Sequence, residues 1–271
     1  MYEQYWGLNE APFSLTPDPR FLYLSRSHED ALMMLHYAVT RNKGAAMLCG
    51  EIGLGKTTVS RKLLESIDPV QFKIALIVNP ILTPTQILQE VLSQIGSPIQ
   101  SRNRQVLVQE LHKSLLDHYD HGRRIVLMID EAHLIRSANT FEELRLLLNC
   151  QMNDQFLISL ILLGQQELIP KLKKVPALEQ RLAVKYVIKP LDMLETGELV
   201  LHRMRVAGYI GERSPFTPEA IHQLHKFSNG APREIIKIAD NALILAMVKK
   251  EKMIDGFLIH ETAEQTLGMA A

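Results

Sequence analysis

The stretch Gly50-Glu51-Ile52-Gly53-Leu54-Gly55-Lys56-Thr57-Thr58 decides how this chain is read. It has the spacing GxxxxGK[ST], and it stands between an apolar β-type run, Ala45 to Cys49, and a helical pattern from Thr57 to Ile67. Strand, glycine-rich turn and helix in that order make a cradle for phosphate. Glycines at 50, 53 and 55 let the backbone curl until successive N–H groups converge on phosphate oxygens, while the following helix presents its positive end. Every residue from Gly50 to Thr58 is therefore a candidate contact for a nucleoside triphosphate, with ATP the expected ligand. Lys56 has the reach for the β and γ phosphates, and the Thr57 hydroxyl suits Mg2+, a hard cation that takes oxygen donors.

Downstream, Ile125-Val126-Leu127-Met128-Ile129-Asp130-Glu131-Ala132-His133 is an apolar strand ending in adjacent carboxylates. Parallel sheets open their ligand crevice at the carboxyl ends of the strands, so these acids arrive where phosphates are expected. Asp130 is assigned to the magnesium ion and Glu131 to the water that attacks the γ-phosphate. After the next apolar run, Leu162-Leu163-Gly164-Gln165-Gln166-Glu167 offers an amide. Gln165 is the candidate for bonding the γ-phosphate and the lytic water; the alternative is a loop amide that caps the next helix.

Two arginines compete to neutralise charge on the transferring phosphoryl group, an effect worth about three to five powers of ten in rate. Arg181, in Leu178-Glu179-Gln180-Arg181-Leu182, precedes the last strand and would project toward a neighbouring subunit's nucleotide. Arg233, in Gly230-Ala231-Pro232-Arg233-Glu234, opens a helix and would act on the nucleotide of its own chain. Surface ion pairing is the alternative for either.

Around these signals the periodicity predicts an α/β fold. Ala45 to Cys49, Phe72 to Val78, Ile125 to Ile129, Phe156 to Leu163 and Ala183 to Ile188 read as buried strands. Between them, Thr57 to Ile67, Thr85 to Ile95, Gln105 to Tyr119 and Thr140 to Met152 place apolar residues at helical intervals. Alternating strands and helices imply a mostly parallel sheet covered on both faces. After Pro190 only helical patterns remain: Leu194 to Val206, Pro218 to Phe227, Pro232 to Val248 and Ile254 to Leu267. Thr217-Pro218-Glu219 supplies a capping hydroxyl, a proline at the first helical position and an early carboxylate. The expected domains are thus 45–190, the nucleotide-binding α/β domain, and 191–271, a small helical lid.

Composition narrows the class. The 271 residues are 46% apolar and 22% charged, which excludes disordered and fibrous chains. Lys plus Arg (30) equals Asp plus Glu (30), so the global positive field of most nucleic-acid binders is missing and such a partner is disfavoured. Cys49 and Cys150 have no metal-ligand spacing and suit a reducing compartment, the cytoplasm by default. No apolar run reaches bilayer length and no leader pattern opens the chain.

The motifs together resemble the AAA+ ATPases of the ASCE division, and more closely the general secretion pathway protein A family, with relatives in secretin assembly and mannose-sensitive pilus biogenesis. The most specific stretch is Tyr5-Trp6-Gly7-Leu8-Asn9-Glu10-Ala11-Pro12-Phe13-Ser14-Leu15-Thr16-Pro17-Asp18-Pro19-Arg20-Phe21-Leu22-Tyr23-Leu24-Ser25, followed by His28-Glu29 and Ala31. Glu142 to Asn149, Gly164 to Leu168, His202-Arg203 with Ala207-Gly208, and Gly230 to Arg233 resemble later blocks of that family.

The resemblance implies a homo-oligomeric ring or partial ring, with Gln165 as sensor 1, Arg181 as a finger acting in trans and Arg233 as sensor 2. It also implies that 1–44 is a signature segment packing on the nucleotide domain, with Pro12-Phe13 near the adenine. The family commonly has proline where Gln166 stands, isoleucine where Ala231 stands and asparagine where Ile236 stands. Secretion members continue into a transmembrane helix and a periplasmic peptidoglycan-binding domain. This sequence ends at Ala271, so it is expected to be a stand-alone ATPase or the cytoplasmic portion of a longer protein.

Three functions compete. The first is an ATPase that drives assembly or remodelling of a secretion or pilus complex, in the cytoplasm or peripheral at the inner membrane. The second is a transposition-associated ATPase that binds DNA and recruits a transposase. The third is a nucleotide-dependent recruitment switch, against which an intact Glu131 favours turnover. His118 with His121 and His222 with His225 have metal-compatible spacing but no third ligand, and read as solvated helix residues. Lys171 to Lys174 and Lys249 to Lys252 read as solvated basic clusters.

Overall fold

Strand position in a sheet can be read from burial, and here it runs from continuous burial at the centre to alternation at one edge. The computed structural model describes residues 2–16, 18–153, 155–211 and 214–267; Pro17 of the N-terminal signature lies outside them. Its compact units are two. One takes the described residues of His28–Glu51 and Lys56–Ile188, the other those of Met1–Ser27, Ile52–Gly55 and Lys189–Ala271. The stretch grouped as 1–44 in the sequence is therefore divided, 1–27 sharing a unit with the C-terminal helices.

The first unit holds α2 (Arg26–Thr40, from His28 onward), β1 (Ala45–Cys49), α3 (Lys56–Ser66), β2 (Phe72–Ile77), α4 (Pro84–Ile95), α5 (Arg104–Asp120), β3 (Arg124–Ile129), α6 (Ala138–Leu147), β4 (Gln151–Met152), β5 (Gln155–Phe156), β6 (Ile158–Gly164), α7 (Leu168–Lys173), α8 (Pro176–Glu179) and β7 (Leu182–Val187). Five strands form one parallel sheet in the order β2-β3-β6-β1-β7. All of β1 and β6 is buried, as is β3 after its first residue, because helices cover both faces of a parallel sheet. On β7 the first four residues alternate, Leu182 and Val184 in, Ala183 and Lys185 out, as an edge strand does.

Helix starts follow the local chemistry. Thr83 and Gln86 form a reciprocal capping box at α4, and Gly96 closes it in the left-handed conformation, φ 97°. Asn103 and Ser137 cap α5 and α6 through their side chains. Ile87, Leu88, Val91 and Leu92 of α4 join Leu107, Leu111 and Leu115 of α5 in one core with the sheet. Each such side chain contributes about 1.5–3 kcal/mol by leaving water. The expected helix 140–152 stops at Leu147, because a short antiparallel hairpin, β4 with β5, takes over. Asn153 lies in its turn at φ 49°.

The second unit is helical: α1 (Tyr2–Trp6), α9 (Met193–Val206), α10 (Pro218–Ser228), α11 (Pro232–Lys249) and α12 (Gly256–Leu267). Thr217 accepts the Ala220 N–H at 3.2 Å with Pro218 at the first helical position, as its sequence predicts. The N-terminal segment is stitched into this core. Trp6 Nε1 donates to Leu243 O at 3.1 Å, and Tyr2 donates its hydroxyl to Asp240 at 2.6 Å. Phe13, 1% exposed, meets Phe216 edge to face at 6.0 Å. The buried Arg203 guanidinium donates to Pro12 O and Ser14 O, both at 3.1 Å. Phe13 is thus a core residue of the helical unit.

Candidate functional site

Strand order brings the chemistry together in the sheet unit. β6 lies between β1 and β3, with Cys49 opposite Gly164 and Ile129 opposite Leu162. Gly50, Gln165 and Asp130 each follow the end of one of these strands, so three separated segments deliver their residues to one edge. Neighbouring strands are about 4.8 Å apart, which puts Gly50 and Asp130 on strands about 10 Å from each other. The Gly50 N–H donates to Gly164 O at 3.2 Å and extends the β1–β6 pairing into the loop.

Glu51 is exposed, and Lys56, first residue of α3, is buried at 7% exposure with its ammonium bonded to Gly50 O and Glu51 O, both at 2.9 Å. Thr57 is exposed and Thr58 half-buried in the first turn of α3. Ile52, Gly53, Leu54 and Gly55 belong to the helical unit. Gly53 and Gly55 have φ 79° and 90°, values that side-chain-bearing residues rarely adopt. Within that unit Arg233, second residue of α11 and exposed, donates its backbone N–H to Gly53 O at 3.4 Å. A Cβ on Gly53 would come to 3.0 Å from that of Arg233.

Asp130 donates its backbone N–H to Ile77 O on β2, and its Oδ1 accepts the Glu131 N–H; both distances are 2.9 Å. Asp130 Oδ2 remains available to a cation. Glu131 stands at φ 49°, ψ 37°, a left-handed conformation that costs a non-glycine residue about 1–3 kcal/mol. A 3-10 turn, Ala132–Leu134, follows at once and swings His133 back under Gly164. Gln165 donates its backbone N–H to His133 Nδ1 at 3.3 Å, and its side-chain nitrogen lies 3.1 Å from His133 Nε2. That amide therefore faces the Asp130–His133 segment and does not cap α7, whose N-cap is Glu167.

Arg181 stands elsewhere. It precedes Leu182, which pairs with Ala45 at the start of β1, so it belongs to the opposite edge of the sheet. Its Nη2 donates to Asn149 Oδ1 at 2.6 Å, and its Nη1 is buried without a hydrogen bond. Sequence reasoning missed three further residues: His133, Asn149 and Lys171. Lys171 donates to the carbonyl oxygens of His133 and Ile135, the latter at 2.9 Å, so it holds the turn after Glu131 and is not a solvated cation. His118 and His121 are bonded to helix carbonyls, Ile95 O at 3.0 Å and Asp117 O at 2.7 Å. His225 Nδ1 meets Thr196 Oγ1 at 3.1 Å. Burial pushes the Cys49 thiol, beside Gly50, up to about 11.

Residues 39–172 match a family described as an AAA domain. Over 261 residues the chain is 37% identical to the general secretion pathway protein A of Aeromonas hydrophila, covering 94% of this chain and 47% of that protein. The chain thus spans about half the length of the curated relative it matches. The Aeropyrum pernix ORC2 protein in its ADPNP-ADP complexes aligns with a TM-score of 0.66 at 17% identity, covering 97% of this chain and 73% of that one. For Cdc6p from Pyrobaculum aerophilum the TM-score is 0.70 at 18% identity, with 94% and 70% covered. These two likenesses show the fold: a P-loop sheet with a helical C-terminal region. The matched AAA domain, residues 39–172, contains both the phosphate loop and the strand that carries Asp130, and the chain is similar over almost its whole length to general secretion pathway protein A, so that it resembles the AAA+ ATPases.

Proposed function

We propose that this chain binds ATP with Mg2+ against the loop Gly50 to Thr58 and hydrolyses it, and that turnover drives assembly or remodelling of a secretion or pilus complex. The observation that carries the chemistry is the adjacency of β1, β6 and β3, whose carboxyl ends bear Gly50, Gln165 and Asp130. The secretion role rests on the 37% identity to general secretion pathway protein A.

In this reading the loop's N–H groups and Lys56 hold the β and γ phosphates, Lys56 exchanging its carbonyl partners for phosphate oxygens. The exposed Thr57 hydroxyl and the free Asp130 oxygen are oxygen donors of the kind Mg2+ takes, and the ion would neutralise charge between the two phosphates. Glu131 accepts a proton from the attacking water. Gln165 orients that water and the γ-phosphate, and Arg233 is assigned the sensor 2 role.

Arg181 supports an oligomer. Five residues of β1 lie between its level in the sheet and Gly50, six strand rises or about 20 Å, farther than its side chain spans. If Arg181 meets a γ-phosphate, that phosphate belongs to another copy, in a ring or partial ring. No helix among the described residues is long and apolar enough to cross a membrane. We place the chain in the cytoplasm or at the inner face of the inner membrane, with secretion or pilus assembly proteins as partners.

Calorimetry with a non-hydrolysable ATP analogue, with and without Mg2+, tests the core of this reading; absence of heat in both titrations would refute it. Duplex DNA offered with ATP at low and high salt tests the role: salt-sensitive, ATP-dependent binding would move the chain to DNA targeting.

A further inference from the structure

The sheet has an edge at β2, which pairs with β3 on one side and with no strand on the other. Along a strand the N–H and C=O of one residue point one way and those of the next point the opposite way. Gln71 O accepts the Arg124 N–H and Ile77 O accepts the Asp130 N–H, so Gln71, Lys73, Ala75 and Ile77 turn their backbone groups toward β3. Phe72, Ile74 and Leu76 therefore turn theirs toward the open edge. The Phe72 N–H is taken there by Asp68 O at 2.9 Å. Ile74 is half-exposed, and among the described residues nothing bonds its outward N–H or C=O. Backbone groups left without a protein partner are almost always in water, so the edge is wet at Ile74.

Leu76 differs. Its N–H donates to Gln94 Oε1 at 2.5 Å, and its carbonyl oxygen accepts from Gln94 Nε2 at 2.8 Å. One primary amide thus meets both backbone groups of one residue, the pair of bonds that an opposite residue on an added antiparallel strand would make. Gln94 stands in the last turn of α4, and its Nε2 also donates to Glu90 Oε1 at 2.6 Å, one turn earlier on the same helix. An ionised carboxylate only accepts, so this third contact fixes the NH2 end of the amide toward Glu90 and Leu76 O, and its oxygen toward the Leu76 N–H.

We propose that Gln94 closes the free edge of the sheet to a second copy of this chain. A bare strand edge is a template for another strand, and the same edge of a second copy, turned by a two-fold axis, is its antiparallel complement. Phe72-Lys73-Ile74-Ala75-Leu76-Ile77 is apolar apart from Lys73 and contains no proline, the kind of segment that self-pairs readily. Two such edges centred on Ile74 would pair Phe72 with Leu76, Ile74 with Ile74 and Leu76 with Phe72. With Leu76 occupied by Gln94, only the central pair is left, too little for a ladder. The inference concerns the sheet itself and does not rest on the binding or hydrolysis of ATP.

The test compares the full chain with Gln94→Met and with Gln94→Met/Ile74→Pro, all without nucleotide so that any nucleotide-dependent assembly stays out of the readout. Methionine keeps the length and helix preference of glutamine and loses both bonds to Leu76. At equal concentration Gln94→Met should associate at least about tenfold faster by light scattering, and the product should bind thioflavin T, a dye for stacked strands. Proline at position 74 removes the outward N–H, a change that edge strands tolerate, so the double variant should return to the rate of the unmodified chain. Circular dichroism and urea unfolding establish that each variant is folded.

Hydrogen exchange on the unmodified chain reads the edge directly and decides the matter even where Gln94→Met fails to fold. The Leu76 N–H should exchange at least about 100-fold more slowly than the Ile74 N–H. Unchanged association in folded Gln94→Met, association that Ile74→Pro leaves intact, or an Ile74 N–H as well protected as that of Leu76 would each overturn the proposal.

Discussion

The Lys56 ammonium donates to the carbonyl oxygen of Gly50 at 2.9 Å, across one turn of the loop it belongs to. The same ammonium takes Glu51 O at 2.9 Å, so its charge is held against the first two residues of the loop. On the proposed reading Lys56→Ala should raise the Kd for ATP more than about 100-fold, since a charge-assisted contact to two phosphates would be lost. Calorimetry measures this, and retained binding would show that the loop holds something else.

In the proposed reaction Glu131 separates binding from turnover. Glu131→Gln keeps the side chain's shape and loses its basicity, so ATP should bind with an affinity within a few-fold of the original while kcat falls about 10²- to 10⁴-fold. Single-turnover phosphate release reads the second quantity. Normal turnover in this variant would remove Glu131 from the reaction.

Arg181 lies at the edge of the sheet away from Gly50, bonded to Asn149. Arg181→Ala should lower kcat by about 10³-fold or more. Mixing it with Glu131→Gln subunits should restore part of the turnover, because a site with intact Glu131 then meets an intact arginine from the other subunit. Mixtures that show only the average of the two components would rule out action across an interface.

A half-hidden ion pair contributes to the stability of the sheet unit. Arg104 Nε and Nη2 donate to Glu143 Oε2 and Oε1 at 2.8 and 3.0 Å, and the Glu143 carboxyl is 5% exposed while Arg104 is 49% exposed. Arg104→Met leaves that carboxylate buried and unpaired and should cost about 1–3 kcal/mol, below the figure for a fully buried pair because Arg104 is half in water. The double variant Arg104→Met/Glu143→Leu should recover most of it. Urea unfolding of the three variants decides the matter.

Cys49 offers a pH test. Burial raises its thiol to about 11 in the folded chain, above the ordinary value of 9.0, so the native state holds its proton longer than the unfolded one. The resulting stability is complete below pH 9 and is lost as pH climbs through 9 toward 11. Cys49→Ala should flatten that part of a stability-against-pH curve, and alkylation of Cys49 at pH 8 should wait for unfolding.

The strands and most helices were legible because burial on both faces writes continuous apolar runs and burial on one face writes a 3.6-residue period. What was not legible came from distant pairing. Nothing local to Ile158–Gly164 says that it inserts between β1 and β3, although that insertion places Gln165 beside both Gly50 and Asp130. The end of α6 was misplaced because Leu147 to Met152 keeps apolar residues after the chain has turned into a hairpin. Lys171 looked like one cation among several, and only the turn at His133 and Ile135, 36 to 38 residues away, gives it partners. His133 was hidden for the same reason, since its partner Gln165 is 32 residues distant.

The seam between Trp6 and Leu243 bears on how the protein is born. A nascent chain leaving the ribosome at about 5–20 residues per second would expose α1 on the order of ten seconds or more before its seat on α11 exists. The sheet residues between them are made in that interval and can settle first. Trp6, Phe13 and Phe21, all greasy and early, must wait in solution for the last helices. Chaperone capture during synthesis should therefore fall on the segment from Trp6 to Phe21 and be released only once α9 to α12 have been made.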